Sequence, residues 1–444
     1  EMLAFSQGVT RRGSYAGYLH VTHPEIEEFL DIRKATGGDI NRKCTNLHHG
    51  IVINDKFMEV IHRATKEENF DDSWELIDPH SNEVKKVVSA RTLWVKILQN
   101  RMETGEPYLM FEDAVNQDLP EFQKKKGLYV NHSNLCSEIT LATNEERTAV
   151  CCLSSVNLEY YDEWSKIPAF IPDLVRMLDN VLQYFIDNAP EQMERAKYSA
   201  MRERSIGLGA MGYHAYLQKN QIPFESLGAS AANYTMFKHI KEDALDETRR
   251  LAVERGACPD DDSCEVRNAH LLAIAPNASS SIICGNTSPS IEPFRANAYT
   301  QKTKSGSYLQ KNQYLVRLLE SKGANTETVW RDIVSNKGSV QHLEILSETE
   351  KEVFKTAVEI NQSWVVEHAA QRQEFVCQSQ SVNLFFPPDV TKGDLHNVHM
   401  LAWAKNLKTL YYLRSEAISR ADNVSNQVKR EIIFEQEDCL ACEG

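Results

Sequence analysis

The sequence predicts an α/β fold whose strands are buried and largely parallel. Segments with apolar residues at helical spacing alternate with short β-branched or apolar runs, and this alternation is typical of strand–helix–strand units. The runs are nearly continuous in apolar residues, as in strands that are covered on both faces. The chain has 444 residues, 42% of them hydrophobic and 25% charged, which is enough to bury a large core.

The predicted elements follow a Gly-bearing loop at residues 5–15. Apolar spacing predicts helices over 24–35, 57–67, 91–103, 170–188, 207–219, 227–255, 347–369 and 393–407. Apolar and β-branched runs predict strands over 51–53, 149–158, 271–276, 378–386 and 408–413. Beyond Ser415 the apolar content falls, so we expect one domain over 1–420 and a mobile acidic tail over 421–444.

Charge and hydropathy exclude several classes of protein. The formal net charge is −14 and no basic run is present, which argues against binding to duplex nucleic acid. No apolar stretch approaches the length of a membrane span, and the first segment of the sequence contains Arg11 and Arg12 but no apolar core of a signal peptide. These observations exclude transmembrane and secretory interpretations and predict a cytoplasmic protein.

The chain has ten cysteines, which are too sparse for a disulfide scaffold at this length. They also lack the paired CxxC or Cys/His spacing of a structural zinc site, so no metal is predicted. We therefore expect mostly inert, reduced core thiols and one or two reactive ones.

One short string carries a compact chemical set. Asn134, Cys136 and Glu138 occupy positions i, i+2 and i+4, and in an extended segment these side chains would point to one side. An amide, a thiol and a carboxylate would then share a face. The alternative is a buried cysteine beside two solvated polar residues, and the spacing alone leaves both interpretations open.

The string NLCSEI resembles the active-site loop of the large subunit of class I ribonucleotide reductase, whose pattern is N-x-C-x-E. The resemblance implies the reductase-type ten-stranded α/β barrel, with this chain supplying the later strands and the loop that carries Cys136. It implies that Cys136 is the thiyl radical that removes the ribose 3′-hydrogen and that Glu138 is the base on the 3′-hydroxyl. Asn134 would hydrogen-bond the substrate hydroxyls and the departing water.

A second match lies in the string TAVCCLSSVNL. By the resemblance, Cys151 is one half of the redox pair whose dithiol supplies two electrons and becomes a disulfide. Cys152 departs from the simplest family pattern. Because adjacent strand residues face opposite ways, we expect Cys151 to face the substrate and Cys152 to be a small buried residue.

A third match follows the apolar run LLAIA. Small and hydroxylated residues at a strand end let backbone N–H groups approach an anion, although such a turn alone is more often a plain helix cap. By the resemblance, the segment cradles the substrate phosphates. Its residues are Pro276, Asn277, Ala278, Ser279, Ser280 and Ser281.

The string KTLYYL matches the tandem tyrosines of class I enzymes. Adjacent tyrosines in a strand are most often packing residues. By the resemblance, Tyr411 and Tyr412 relay a radical from the small subunit to the active cysteine. Reductases that use cobalamin or a glycyl radical do not need this pair, so the doublet favours class I.

A fifth match, Cys439-Leu-Ala-Cys442, lies near the end of the acidic tail. CxxC is a redox spacing, and exposed free thiols are otherwise disfavoured. The roughly 27 residues between Tyr412 and Cys439 could extend to about 90 Å. We expect this pair to carry electrons between the active site and thioredoxin or glutaredoxin.

Weaker matches lie at 104–116, 378–386 and 6–13. The last one is similar to the loop that couples the specificity effector to substrate choice. In that loop Arg11 is the expected base-contacting residue, with Gln7 as a second contact. An ordinary solvated arginine loop is an equally good interpretation.

The resemblance also implies partners. It covers roughly the C-terminal three-fifths of such a large subunit, without the ATP-binding cone, the first barrel strands, most of the effector site and the cysteine that pairs with Cys151. We therefore expect either a fragment or a subunit divided between two polypeptides, inactive alone. The expected partners are the missing N-terminal portion, a second large subunit in a homodimer, and a metal-bearing small subunit that supplies the radical.

No cofactor is expected to be bound by this chain itself, and the effectors ATP and dNTPs would act on the complete subunit. The substrate would be a ribonucleoside diphosphate, reduced for DNA synthesis. Two alternatives remain open from the sequence: a cobalamin-dependent reductase, and a degenerate subunit that only binds nucleotides or partners.

Overall fold

The structure, a computed structural model, describes residues 13–34, 36–303 and 306–415. Gln7, Arg11, Cys439, Cys442 and the expected domain boundary at residue 420 lie outside these residues. The strands are β1 Ala16–His20, β2 His48–Ile53, β3 Ser73–Ile77, β4 Val84–Ser89, β5 Tyr108–Phe111, β6 Leu153–Asn157, β7 Gly207–Met211, β8 Ala298–Thr303, β9 Gly306–Lys311, β10 Leu384–Phe386, β11 Thr409–Leu410 and β12 Leu413–Ser415.

Helices connect and cover these strands. They are α1 Ile26–Leu30, α2 Asp55–Lys66, α3 Ala90–Thr104, α4 Glu112–Gln117, α5 Glu121–Lys125, α6 Tyr161–Trp164, α7 Phe170–Asn188, α8 Glu194–Glu203, α9 Tyr213–Lys219, α10 Leu227–Arg255, α11 Ala278–Ile283, α12 Gln313–Ser321, α13 Glu327–Ser335, α14 Glu348–Val353, α15 Gln362–Gln373 and α16 Lys392–Ala404. Within the described ranges, no helix is both long enough and apolar enough to cross a membrane.

The central strands are mostly parallel, as predicted. β1, β2 and β5 pair in parallel, and β11 adds to β5 antiparallel. In other sheets, β6 pairs with β7 in parallel and β10 pairs with β12 in parallel. Isolated parallel bridges join Leu208 to Leu272 and Ile274 to Gln380. β3–β4 and β8–β9 are antiparallel hairpins, which the sequence analysis did not predict.

Two long helices begin and end where the apolar spacing predicted. α7 spans residues 170–188 and buries Val175, Leu178 and Leu182. α10 spans 227–255, and at its start the Ser226 side chain accepts a hydrogen bond from the backbone N–H of Ala229, as N-cap residues do. α7 and α10 pack against each other and contribute to the main core.

The predicted helix over 207–219 is wrong in its first half, which is strand β7. A Cβ on Gly209 would lie 2.5 Å from the Ala273 carbonyl oxygen, so only glycine lets the neighbouring backbone approach this closely. Gly212 then turns the chain into α9 with a φ of 80°. Apolar spacing alone does not separate a short buried strand from a helix.

Several other boundaries differ from the prediction. Helix 347–369 is two helices, because α14 ends at Val353 and α15 starts anew at an Asn361 cap. Residues 271–276 form only the two isolated bridges. The strand predicted over 149–158 begins at Leu153, so Cys151 precedes it.

Candidate active site

The Asn134–Ile139 loop is a tight turn and not an extended segment. The Ser137 N–H donates to the Asn134 carbonyl at 3.2 Å, and Ser137 has a φ of 68°. The Ile139 N–H donates to Asn134 Oδ1 at 3.0 Å. The turn therefore brings the Asn134 amide and the Glu138 carboxyl group together by closing the loop and not by strand alternation.

Three consecutive carbonyl groups anchor this loop to later parts of the chain. The Cys136 carbonyl accepts from Ser381 Oγ at 2.5 Å, and the Ser137 carbonyl accepts from Thr409 Oγ1 at 2.9 Å. The Glu138 carbonyl accepts from the Ser379 N–H at 2.9 Å. Because all three donors are buried, these bonds fix the loop in place.

The Glu138 carboxyl group is buried at 2% exposure. Burial raises the pKa of Glu138 to about 7, while hydrogen bonds from the Asn134 side chain, its own backbone and Ser381 act in the opposite direction. Near neutral pH this group is therefore present in both protonation states. A carboxyl group of this kind can take up or release a proton, as a general acid or base requires.

Cys136 lies in one buried contact cluster with three tyrosines, Tyr108, Tyr411 and Tyr412. The ring centroids of Tyr411 and Tyr412 are 4.3 Å apart, and those of Tyr108 lie 4.7 Å from Tyr411 and 5.1 Å from Tyr412. The predicted tyrosine doublet and the predicted cysteine therefore belong to one local environment, although 275 positions separate them in the numbering.

A histidine–glutamate pair adjoins the tyrosines and was not found from the sequence. His48 Nδ1 lies 3.2 Å from the Tyr108 hydroxyl and 3.3 Å from the Tyr412 hydroxyl. The same nitrogen lies 2.6 Å from Glu106 Oε1. Glu106 sits within the segment 104–116 that resembled the family, but nothing in that string indicated a contact 58 residues away.

Glu106 is a buried carboxylate. It accepts hydrogen bonds from His48, from the backbone N–H of His49 at 3.0 Å, and from His49 Nδ1 at 3.1 Å. The Arg33 guanidinium lies 3.5 Å away. Burial opposes ionisation, yet the two histidines and this arginine hold the pKa of Glu106 well below its usual range.

The two adjacent cysteines differ in exposure. Cys152 is buried in the main core, where its thiol donates to the Leu178 carbonyl at 3.5 Å. Cys151 is exposed to solvent, although protein atoms are dense around its thiol. This crowding, followed by the charge of Glu138, raises the pKa of the Cys151 thiol to about 12.

The segment predicted to hold phosphates forms the start of the short helix α11. Asn277, its N-cap residue, has a φ of 55°, and its side-chain amide lies 3.1 Å from Ser155 Oγ on β6. The hydroxyl of Ser281 donates to the Ala278 carbonyl inside the helix. The six predicted residues divide into Pro276, Asn277 and Ser281, which are buried, and Ala278, Ser279 and Ser280, which are half-buried.

Two comparisons with other proteins define the class of protein. The sequence model of the family "Ribonucleotide reductase, barrel domain" matches residues 2–263 and 261–413. The chain is 38% identical to the Actinobacillus ureae class Id ribonucleotide reductase alpha subunit, with a TM-score of 0.80 over 92% of this chain and 72% of that one. The barrel fold predicted from the resemblance is thereby confirmed.

Sequence relatives identify the subunit. The chain is 50% identical to a ribonucleoside-diphosphate reductase large subunit of Frog virus 3 (isolate Goorha), over 100% of this chain and 77% of that protein. It is 44% identical to the large subunit of Invertebrate iridescent virus 3, over 99% of this chain and 78% of that protein. The chain therefore belongs to the ribonucleotide reductase large-subunit family. For these two proteins the shared portion is larger than we expected from the sequence.

Proposed function

We propose that this chain carries the catalytic centre that reduces ribonucleoside diphosphates to 2′-deoxyribonucleoside diphosphates, with Cys136 as the thiyl radical. The observation that carries the proposal is the buried cluster that joins Cys136 to Tyr411 and Tyr412. A cysteine that must be oxidised by one electron, and two oxidisable side chains that could deliver that oxidation, are in contact. The names of the two viral relatives support the same substrate class.

Cys136, Glu138 and Asn134 would act together on the ribose. The Cys136 thiyl radical takes the 3′-hydrogen atom, and the Glu138 carboxylate takes the proton of the 3′-hydroxyl. The pKa of Glu138, raised by burial to about 7, supports this role because a general base works best when its pKa lies near the working pH. Asn134 would hydrogen-bond the hydroxyls and the departing 2′ water.

Cys151 would supply one thiol of the dithiol that provides two electrons and forms a disulfide in each reduction. Its exposure and the influence of the Glu138 charge on its pKa support a position in the same cavity as the loop. The tail thiols, Cys439 and Cys442, would then reduce that disulfide and be reduced in turn by thioredoxin or glutaredoxin.

Tyr412 and Tyr411 would carry the oxidation from a radical-generating, metal-bearing small subunit to Cys136. The likeness to a class Id alpha subunit supports this class I pathway over a cobalamin-dependent one. In addition, Pro276 to Ser281 would bind the substrate phosphates, and Arg11 with Gln7 would contact the specificity effector. ATP and dNTPs are the effectors we expect for the complete subunit.

Turnover assays of cysteine variants test this function. Cys136→Ser should abolish ribonucleoside diphosphate reduction in the presence of the small subunit while leaving nucleotide affinity nearly intact, since an oxygen atom does not replace the sulfur radical. Cys258→Ser is the matched control, because Cys258 is also buried but lies outside the contact cluster of Cys136. Substantial turnover by Cys136→Ser would refute the radical role.

The tail has its own test. Cys439→Ser combined with Cys442→Ser should stop multiple turnovers with a thioredoxin-type protein reductant, and a small dithiol that enters the cavity should restore them. Normal turnover of the double variant with the protein reductant would contradict the shuttle role while leaving the role of Cys136 intact.

A further inference from the structure

We propose that Ser381 is a positioning residue for the reaction: its hydroxyl holds the Glu138 carboxyl group in both protonation states and ties it to the backbone of Cys136. The inference rests on the proposed function, in which Glu138 is the base. It adds a residue from a segment, 378–386, whose resemblance to the family implied no role.

The contacts of Ser381 join the two catalytic candidates. Its Oγ lies 2.5 Å from the Cys136 carbonyl oxygen and 3.3 Å from Glu138 Oε2. Ser381 is fully buried, and its backbone N–H donates to the Ile274 carbonyl at 2.9 Å. Since backbone and side chain are both held, the hydroxyl oxygen stays in one place.

The segment around Ser381 directs hydroxyls and amides to opposite sides. Gln378 Nε2 donates to the Ile206 carbonyl at 2.9 Å, and Gln380 Nε2 donates to the Ala369 carbonyl at 2.8 Å. Ser379 contacts Thr409 through its hydroxyl and the Glu138 carbonyl through its N–H. Ser381 contacts the Glu138 carboxyl group through its hydroxyl. This alternation is that of extended backbone next to the isolated bridge at Gln380, with the serines on the side of the Cys136 loop.

A hydroxyl suits this place because it has one proton and two acceptor sites. When Glu138 is protonated, its O–H can donate to Ser381 Oγ while the Ser381 proton goes to the Cys136 carbonyl. When Glu138 is ionised, the Ser381 O–H can turn towards Oε2. Both states are then satisfied by rotating one O–H bond, without moving the carboxyl group or the loop.

Three other titratable groups lie near Glu138. They are Tyr18 on β1, Cys136 in the loop and Cys151 before β6. Burial raises the pKa of Tyr18 to about 12, and the pKa of Cys151 is about 12 as well, so both are neutral near pH 7. Ser381 and Asn134 are therefore the side-chain donors that favour the ionised form of Glu138.

Ser379 provides the matched control. It is also fully buried, but its Oγ lies 2.7 Å from Thr409 Oγ1 and its contact with Glu138 uses the backbone N–H. Removing the Ser379 hydroxyl therefore perturbs the anchoring of the loop through Thr409 and spares the carboxyl group. A merely structural role for Ser381 predicts equal effects of Ser381→Ala and Ser379→Ala.

The direct measurement is an infrared titration of the Glu138 carboxyl group in the full chain, with Glu138→Gln to assign the band. Ser381→Ala should raise the pKa of Glu138 by about one unit, the size expected for one lost hydrogen bond to a charged group. Ser379→Ala should leave that pKa unchanged, and Ser381→Thr, which keeps the hydroxyl, should restore it. Equal titrations of Ser381→Ala and wild type overturn the proposal.

The kinetic measurement uses the chain with its small subunit. In Ser381→Ala the acidic limb of the kcat profile should move to higher pH by the same amount with KM unchanged, because the base is protonated over a wider pH range. If Ser381→Ala raises the pKa of Glu138 in the infrared titration but leaves the kcat profile unchanged, Glu138 is not the base, and the proposed function is refuted with it. If the infrared titration gives the same pKa for Glu138 in Ser381→Ala and in wild type, only the role of Ser381 is refuted.

Discussion

The Tyr412 hydroxyl lies 3.3 Å from Nδ1 of His48, and this nitrogen is already committed to a carboxylate. Glu106 Oε1 is 2.6 Å from it, and an ionised carboxylate only accepts hydrogen bonds. His48 Nδ1 must therefore carry the proton and is not a base for Tyr412. The O–H of Tyr412 consequently points away from His48.

This geometry predicts that His48 supports the radical relay by orienting Tyr412. His48→Leu should lower turnover about tenfold without changing substrate affinity, because it removes the ring that packs edge-on against Tyr412 at a centroid distance of 6.2 Å. Steady-state kinetics with the small subunit would measure it. His49→Leu is the control, since His49 also contacts Glu106 but no tyrosine hydroxyl within the described hydrogen bonds. Equal losses in both variants would assign the effect to Glu106 alone.

Tyr108 should support the relay without being a step in it. Tyr108→Phe keeps the ring that packs against Tyr411 and Tyr412 and removes only the hydroxyl near His48. We expect turnover to fall less than about tenfold, whereas Tyr411→Phe and Tyr412→Phe should abolish it because phenylalanine is not oxidised in their place. Loss of all turnover in Tyr108→Phe would make Tyr108 a third relay residue.

The sequence revealed those parts of the site that lie in contiguous strings. The Asn134–Glu138 motif and the tyrosine doublet were recognisable because each is short and local. Ser381 was not, since its contact with Cys136 spans 245 residues and a buried serine that precedes a strand has no distinctive pattern. The contact between His48 and Glu106 likewise depends on the parallel pairing of β2 with β5, which fixes their proximity only after folding.

The elements of the fold also divide into those that a local pattern predicts and those that depend on distant contacts. Long amphipathic helices such as α7 and α10 were predicted to the residue, because apolar spacing over 19 or 29 residues is a strong signal. β7 was missed because its buried Gly209 is required by the close approach of the Ala273 backbone, and Ala273 lies 64 positions away in the sequence. Interactions between distant segments decide such elements, and a local pattern does not contain them.

The thiol of Cys151 should react slowly in spite of its exposure. Its pKa of about 12 leaves few thiolates at neutral pH, so alkylation by iodoacetamide should be slower than at an ordinary exposed thiol by roughly 100-fold or more. Mass spectrometry of labelled peptides would compare it with Cys264, which is also exposed. Glu138→Gln should accelerate the reaction, because the Glu138 charge contributes to the shift. Equal rates at Cys151 and Cys264 would contradict the raised pKa.

Glu138 should make the folded chain less stable as pH rises. Its pKa is about 7 in the folded state and about 4.3 when unfolded, so the folded state binds the extra proton between these values. The contribution to the free energy of unfolding is therefore fully present below about pH 4.5 and is lost as pH rises through 7. Wild type should lose about 2.5 kcal/mol of its free energy of unfolding between pH 5 and pH 8 through this group, and Glu138→Gln should not.

Urea unfolding of both proteins at the two pH values would test this, and Glu203 supplies a matched control. Glu203 is equally buried, and burial raises the pKa of its carboxyl group to about 7 as well, but it bonds to Ser199 and Gln123 and not to the Cys136 loop. Glu203→Gln should gain similar stability at pH 8 and keep turnover, whereas Glu138→Gln should gain stability and lose turnover. A Glu138→Gln variant with no pH-dependent gain would show that the folded chain does not hold this proton.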